Sequence, residues 1–417
     1  MVEPEADLAL KASGYLDHLC LEISNRRVGS PGNRQATAYY EEIVASFGFK
    51  TETQEFNCID WQHDGALLEV GGEHFLATPS PYSLGCDFQA PLKVITTAQE
   101  LEVADLSGKI ALLGGEIAKE QLMPKNFPFY NPEHHQRIIG LLERKKPLAI
   151  IAATDRDPAL AGGISPFPLI EDGDFDIPSV YMTAESGEKL RHFAGELIRV
   201  ESRARRIPST GCNVIASKAG SGERRIVLTA HIDAKLDAPG ALDNATGVVT
   251  LLLLAELLQD YQGETGIELT AINGEDYYSA SGEVKYLERV QGQLDQILLN
   301  INMDGVGFHL GGTAFSLYEC PDEIASLVRE VFSSHKELQE GEIWYSGDHM
   351  IFVQNGVPAV ALTSEHGMTG LAEVSHTPRD RPELVDPARL VRVAHAIREL
   401  LLAFDRDLPA KQKGKNN

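Results

Sequence analysis

The stretch RRIVLTAHIDAKLDAPGALDNATGVVTLLLLAELL, Arg224 to Leu258, constrains this chain more than any other. An apolar strand, RRIVLTA, runs into a loop held by Pro239 and Gly240. An apolar helix follows at Val248–Leu258. His231, Asp233 and Asp243 lie between the two. Three metal-capable side chains beyond one strand end read as half of a metal site.

The same alternation continues from Pro208 onward. Strands are expected at Gly266–Asn273, Gln296–Met303 and Val357–Ser364, and helices at Gly282–Arg289, Pro321–Ser334 and Pro387–Phe404. Apolar strands alternating with helices imply an α/β fold whose sheet is mostly parallel and covered on both faces. In such sheets ligands bind beyond the carboxyl ends of the strands. At the other end of the chain, helices are expected over Asp7–Ser24 and after the turn GSPGN, where Ala36, Tyr40, Ile43, Val44 and Phe47 share one face and Gly48 stops the helix. Lys50–Phe56 reads as an edge strand. From about Asn57 to Glu201 long helical periodicity fades, and short strands at Lys109–Gly115, Pro147–Asp155 and Ile177–Met182 stand among Gly- and Pro-rich loops. This reads as a small domain inserted into the larger one.

A chain of 417 residues exceeds what one compact core usually serves, which agrees with two domains. The net charge of −24 argues against nucleic-acid binding and against anionic membrane surfaces. Cys20, Cys58, Cys86, Cys212 and Cys320 are odd in number, widely spaced and without a CxxC, the pattern of reduced thiols in a cytoplasmic protein. The acidic N-terminal segment lacks the apolar core of a secretory signal, and no run of about 18 apolar residues suggests a membrane span. Residues 406–417 read as a disordered tail.

Further candidates follow the other strands. Glu275 and Asp276 lie in NGED, Asp304 in NMDGVG and His376 in VSHTP. Topology carries all of them, with His231 and Asp243, to one edge of one sheet. Two His and three Asp suit zinc, with manganese or cobalt as substitutes. Five ligands with one carboxylate shared satisfy two divalent ions. Asp233, two residues beyond His231, is expected to accept the second imidazole N–H.

The ordered set HID, GALDNATG, GED, MDG and SHTP resembles the co-catalytic di-zinc aminopeptidase family, metallopeptidase family twenty-eight, which includes aminopeptidase S, aminopeptidase Y and glutamate carboxypeptidase. RRVGSPGNRQATAYYEEIVASFGF resembles its N-terminal helix segment, DLSGKIALLGG and IPSVYMTAESGEKL its inserted protease-associated domain, and SGDHMIFVQNGVPAVAL the segment before its last ligand. The resemblance implies a three-layer α/β/α catalytic domain of a zinc-exopeptidase kind, formed by residues 1–56 and 202–405. It implies a β-rich protease-associated lid at 57–201 that roofs the cleft. Two Zn²⁺ would be held by His231, Asp243, Asp276, Asp304 and His376. Asp243 would bridge, His231 and Asp304 would complete one metal, and Asp276 and His376 the other. Glu275 would be the general base, working on a metal-bridging water to hydrolyse an N-terminal peptide bond. Asp276 stands where most members have Glu. Tyr345 or Trp344 would align with a Tyr that stabilises the oxyanion in some members. The implied substrate is a peptide or amino-acyl compound, and the inserted domain in this family often contributes to homodimers.

Other readings compete. The same metal core serves carboxypeptidases and amidases on small acylated amines. Some relatives keep the fold as a receptor scaffold after losing ligands, and glutaminyl cyclase uses a single zinc. Asp348 and His349 read as loop support or a helix cap, and His134 and His135 as a solvated helix start. Tyr277 and Tyr278 either line a pocket or pack the loop. HExxH, GxSxG and GxxxxGK[ST] are all absent, and GVGFHLGG has nucleotide-loop glycines at the wrong spacing.

Overall fold

The computed structural model describes residues 5–23, 25–365 and 371–407 of the chain. Helices α1 (Glu5–Asp17) and α2 (Pro31–Ser46) lead into strand β1 (Lys50–Val70). There follow β2 (Glu73–Pro79), β3 (Cys86–Ile95), α3 (Ala98–Val103), β4 (Ile110–Leu113), α4 (Glu133–Lys145), β5 (Ala149–Thr154), β6 (Ser179–Thr183), α5 (Ala184–Arg191) and β7 (Leu197–Lys218). The second half runs β8 (Arg225–His231), α6 (Thr246–Leu257), β9 (Gly266–Ile272), α7 (Ser281–Val290), β10 (Ile297–Met303), β11 (Thr313–Tyr318), α8 (Asp322–Ser333), β12 (Leu338–Glu340), α9 (His349–Val353), β13 (Ala359–Ser364) and α10 (Pro387–Asp407). The chain forms two compact units. One comprises the residues up to Phe56 with Thr210–Tyr277 and the residues from Ser281 on; the other comprises Asn57–Ser209 with Tyr278–Ala280.

In the first unit the strand order is β7-β9-β8-β10-β13-β11-β12. Strands β9, β8, β10 and β13 are mutually parallel, while β7 and β11 run antiparallel to their neighbours β9 and β13. The parallel strands are apolar on both faces because both faces are covered. In β13, Val360 and Leu362 join the main core with residues of α6, α8 and α10, whereas Ala359 and Ala361 face Met350 and Val353 of α9. Alternate residues of one strand thus bury against two helical layers, which makes three layers in all. The ring of Tyr286 of α7 packs tilted against that of Phe352 of α9 and puts both helices in the second layer. Helix α6 is buried along nearly its whole length, and its apolar run has no polar face to present.

The second unit carries a smaller mixed sheet. Strands β3, β4, β5 and β6 are parallel, and β6 pairs antiparallel with β2. Strand β1 continues well past Phe56 to form a hairpin with β2. This extension, and the 22-residue strand β7, were not legible because they are largely polar and half exposed. Strands β2, β3, β11 and β12 and helices α3 and α5 are likewise absent from the pattern of the sequence. The opening helix is shorter than expected: α1 ends at Asp17, a wider turn at His18–Glu22 follows, and Ser24 lies outside the described residues. Arg406 and Asp407 continue α10 and do not belong to a tail; residues 408–417 lie outside the described residues. No helix among the described residues is long and apolar enough to cross a membrane.

Candidate active site

Four adjacent parallel strands deliver the candidate residues. His231 is the last residue of β8, and Glu275 and Asp276 follow β9. Asp304 follows β10, and His376 lies in the loop after β13. Asp243 sits in the irregular turn Ala241–Ala245 that opens α6. Its two carboxylate oxygens face different histidines: Oδ1 lies 3.1 Å from His231 Nε2, and Oδ2 lies 3.1 Å from His376 Nε2. Asp304 Oδ1 is 3.8 Å from His231 Nε2, and Asp276 Oδ1 is 3.0 Å from His376 Nε2. The five side chains therefore fall into two groups that share Asp243. His376 has a left-handed backbone (φ +62°), a conformation rare outside glycine and concentrated at functional sites.

The donor set fits divalent cations. His231 Nε2 and Asp276 Oδ2 are buried, and no described residue makes a sound hydrogen bond to either. Such atoms are costly unless a partner arrives. Ligand atoms of His231, Asp243 and Asp276 all lie within 4.8 Å of one another. Burial raises the Asp243 carboxyl, yet the His376 and His231 imidazoles outweigh it and hold that carboxyl low. Burial lowers both histidines, but the surrounding carboxylates raise them well above the usual imidazole range. Burial also pushes the Glu275 carboxyl well up; His231 opposes this, and Asp276, Asp304 and Asp348 reinforce it. A raised carboxyl beside a metal-type ligand set is suited to accepting and releasing a proton near neutrality.

The turn that carries Glu275 is fixed from two sides. Asp233 Oδ1 accepts the Gly274 N–H at 2.7 Å, and Oδ2 accepts the Asp276 N–H at 3.1 Å. Asp233 Oδ1 lies 3.7 Å from His231 Nδ1, longer than a hydrogen bond. The expected Asp233–His231 bond therefore gives way to backbone bonds, because two converging amides outcompete a ring nitrogen set further off. On the other side Asn273 and Asn33 exchange paired side-chain bonds at 2.9 Å, and Asn213 Oδ1 accepts the Asn273 N–H at 3.0 Å.

The remaining candidates separate. Tyr345 is 76 % exposed. Trp344 packs against His349 and exchanges backbone bonds with the hydroxyl of Tyr318. Asp348 precedes α9 without capping it through its side chain, and its carboxyl is buried with no hydrogen-bond partner among the described residues. His349 Nε2 donates to the Trp344 carbonyl at 3.1 Å. Tyr277 and Tyr278 are both buried, and the ring of Tyr278 packs tilted against that of Tyr82. His134 is exposed, but His135 is buried, which corrects the solvated-start reading: the ring fills the unit's interior next to Met123. Glu120, His134 and His135 approach one another closely enough to suggest a second metal group. However, His135 Nδ1 accepts the Met123 N–H at 3.1 Å, which leaves the ring proton on Nε2 and removes that nitrogen as a ligand.

Three buried charged residues had no sequence signal strong enough to find them. Glu283 lies in the first turn of α7, where burial, Glu275 and Asp233 all raise its carboxyl. Arg26 grips the loop after β8 through backbone carbonyls, and Asp380 receives the backbone of Leu242 and Asp243. Only Asp380 carried a hint, as an acid four residues beyond His376 in SHTPRD.

Residues 213–401 match the family model described as Peptidase family M28. The chain is 25% identical over 291 residues to the probable lipoprotein aminopeptidase LpqL of Mycobacterium tuberculosis, covering 67% of this chain and 54% of that protein. It thus spans about half the length of that relative. Among solved structures, an aminopeptidase from Aneurinibacillus sp. strain AM-1 superposes with a TM-score of 0.74 at 22% identity, covering 95% of this chain and 93% of that one. A zinc aminopeptidase from Bacillus subtilis gives 0.72 at 20% identity, covering 94% of each. These two share the fold of this chain. The matched segment contains His231, Asp243, Glu275, Asp276, Asp304 and His376.

Proposed function

We propose that the protein is a metal-dependent aminopeptidase that binds two zinc ions and hydrolyses N-terminal peptide bonds. The observation that carries this reading is the carboxylate of Asp243, which offers one oxygen to His231 and the other to His376 at 3.1 Å each. His231 and Asp304 would hold one ion with Asp243, and Asp276 and His376 the other. Bound zinc would polarise the scissile carbonyl and supply a water acidic enough to attack near neutral pH. Glu275 takes the proton of the attacking water on its carboxylate and passes it to the leaving amine nitrogen. Asp233 keeps that carboxylate in register by fixing the amides on either side of it. Tyr345, whose side chain is not consumed by packing, is assigned to the oxyanion. Residues 57–201 are assigned as the protease-associated insertion. All five cysteines are free thiols, which supports a cytoplasmic location.

The test is zinc content together with hydrolysis of a panel of amino-acyl nitroanilides, before and after chelation. Two zinc per chain and chelator-sensitive release from free-amine substrates, but not from their N-acetylated forms, is the expected result. Release from C-terminal acidic dipeptides alone would replace the aminopeptidase with a carboxypeptidase. Absence of both zinc and activity would leave a binding scaffold.

A further inference from the structure

Apart from His231, which ends β8, the ligands of the proposed site stand on loops and turns, and a loop holds a ligand accurately only where its backbone is fixed by its surroundings. Asp380 is fully buried, four residues beyond His376. Its Oδ1 accepts the Leu242 N–H at 2.8 Å, and its Oδ2 accepts the Asp243 N–H at 3.0 Å. Its backbone carbonyl accepts the Ala241 N–H at 3.4 Å, and its own N–H returns to the Thr377 carbonyl at 3.1 Å. Three consecutive amides of the segment that carries Asp243 thus converge on one residue of the segment that carries His376.

Arg26 holds the other end of the same loop. This buried guanidinium donates to the carbonyls of Pro239 at 2.7 Å, Gly240 at 2.8 Å and Ile232 at 3.0 Å, the last being next to His231. Gly240 is required where the loop closes, with φ +62°. A Cβ there would lie 2.5 Å from the Asp243 carbonyl oxygen and 2.9 Å from Arg26 Nη2. A continuous path of short bonds therefore joins His231, Asp243 and His376 through side chains that touch none of the reacting atoms.

We propose that Asp380 is a positioning residue for metal binding, which sets Asp243 against His376, with Arg26 bracing the far end of the loop. This rests on reading the site as a metal centre. A carboxylate suits the task because its two acceptor oxygens match two neighbouring amides. Asparagine would turn an N–H₂ group toward one of them and push the loop away.

The experiment is zinc affinity of the chelator-stripped full chain, measured by competition with a chromophoric chelator, for wild type, Asp380→Asn and Asp405→Asn. Asp405 is the matched control: it accepts the Thr265 N–H at 2.9 Å and the Tyr261 hydroxyl at 2.6 Å, and it lies outside the site. Both variants should lose thermal stability. Only Asp380→Asn should bind zinc weaker, by roughly 10- to 100-fold, and its kcat/KM should recover as zinc is raised. Wild-type zinc affinity in Asp380→Asn overturns the proposal. If that variant does not fold, Asp380→Ser, which keeps one acceptor and adds no volume, carries the same comparison. A wild-type protein that binds zinc without cleaving amino-acyl substrates removes the aminopeptidase reading and leaves the affinity comparison to decide on Asp380. A wild-type protein that binds no zinc removes both.

Discussion

Asp233 accepts the backbone N–H of Asp276 at 3.1 Å, so the loop after β8 fixes the turn after β9 that presents both Glu275 and Asp276. Replacing Asp233 with Asn keeps the shape but turns a donor toward one of two amides. We expect a fall of roughly 10- to 100-fold in kcat, the usual effect of losing a group that orients a metal ligand. Steady-state kinetics at saturating zinc checks this. Unchanged kcat would mean that the turn holds itself.

Burial raises the Glu275 carboxyl, His231 opposes this, and Asp276, Asp304 and Asp348 reinforce it. Glu275→Gln should lower kcat by roughly 10²- to 10⁴-fold, the range for loss of a general base. Metal content, measured by atomic emission, should stay at the wild-type value. A variant that retained full turnover would transfer the proton to another group, with Glu283 and Asp348, two buried carboxyls that interact with Glu275, the ones to test.

Metal removal should destabilise the fold as well as abolish activity. Among the described residues, Asp243, Asp276 and Asp304 are gathered with two histidines and, at 3.9 Å from Asp276, Lys235 to balance them. A ligand that binds only the folded state adds about 2.7 kcal/mol at a hundred times its Kd. The melting temperature of stripped protein should therefore rise on adding zinc, and the rise should shrink in His376→Ala and in His231→Ala. A zinc-independent melting temperature in the wild type would contradict the assignment of these residues.

His349 should make the protein sensitive to acid. Burial pushes its imidazole down to about 4, and its Nε2 donates to the Trp344 carbonyl. An unfolded histidine titrates near 6.5. As pH falls from about 6.5 toward 4 the unfolded chain takes up this proton and the folded chain does not, so stability present above 6.5 is lost across that window. The loss from this one group is about 3 kcal/mol. His349→Gln keeps a donor for Trp344 and does not titrate. Its melting temperature should fall less steeply between pH 7 and pH 4, and a parallel curve would show that other groups set the acid limit.

Much of this architecture was legible because of where it is buried. Strands β4, β5, β8, β9, β10 and β13 are covered on both faces, so each is a run of apolar residues with few interruptions. Their order along the chain, with an acid or histidine at or just beyond the end of each of the last four, was enough to bring His231, Glu275, Asp276, Asp304 and His376 to one sheet edge. Strand β7 was hidden by ESRARRIPST, a polar stretch that lies mostly between the residues of β7 paired with β3 and those paired with β9. Strand β11 was hidden because nothing in TAFSLY announces its antiparallel place beside β13.

The sequence by itself determined which residues can reach the site, since period and spacing are local properties of the chain. Only the tertiary structure decided how they are held. Arg26 meets Pro239 and Gly240, and Asp380 meets Leu242 and Asp243, across gaps in the chain that leave no periodic trace. Asp233 turned to the amides of Gly274 and Asp276 for the same reason: a buried carboxylate takes whichever donors the fold places nearest, and those donors belong to another strand.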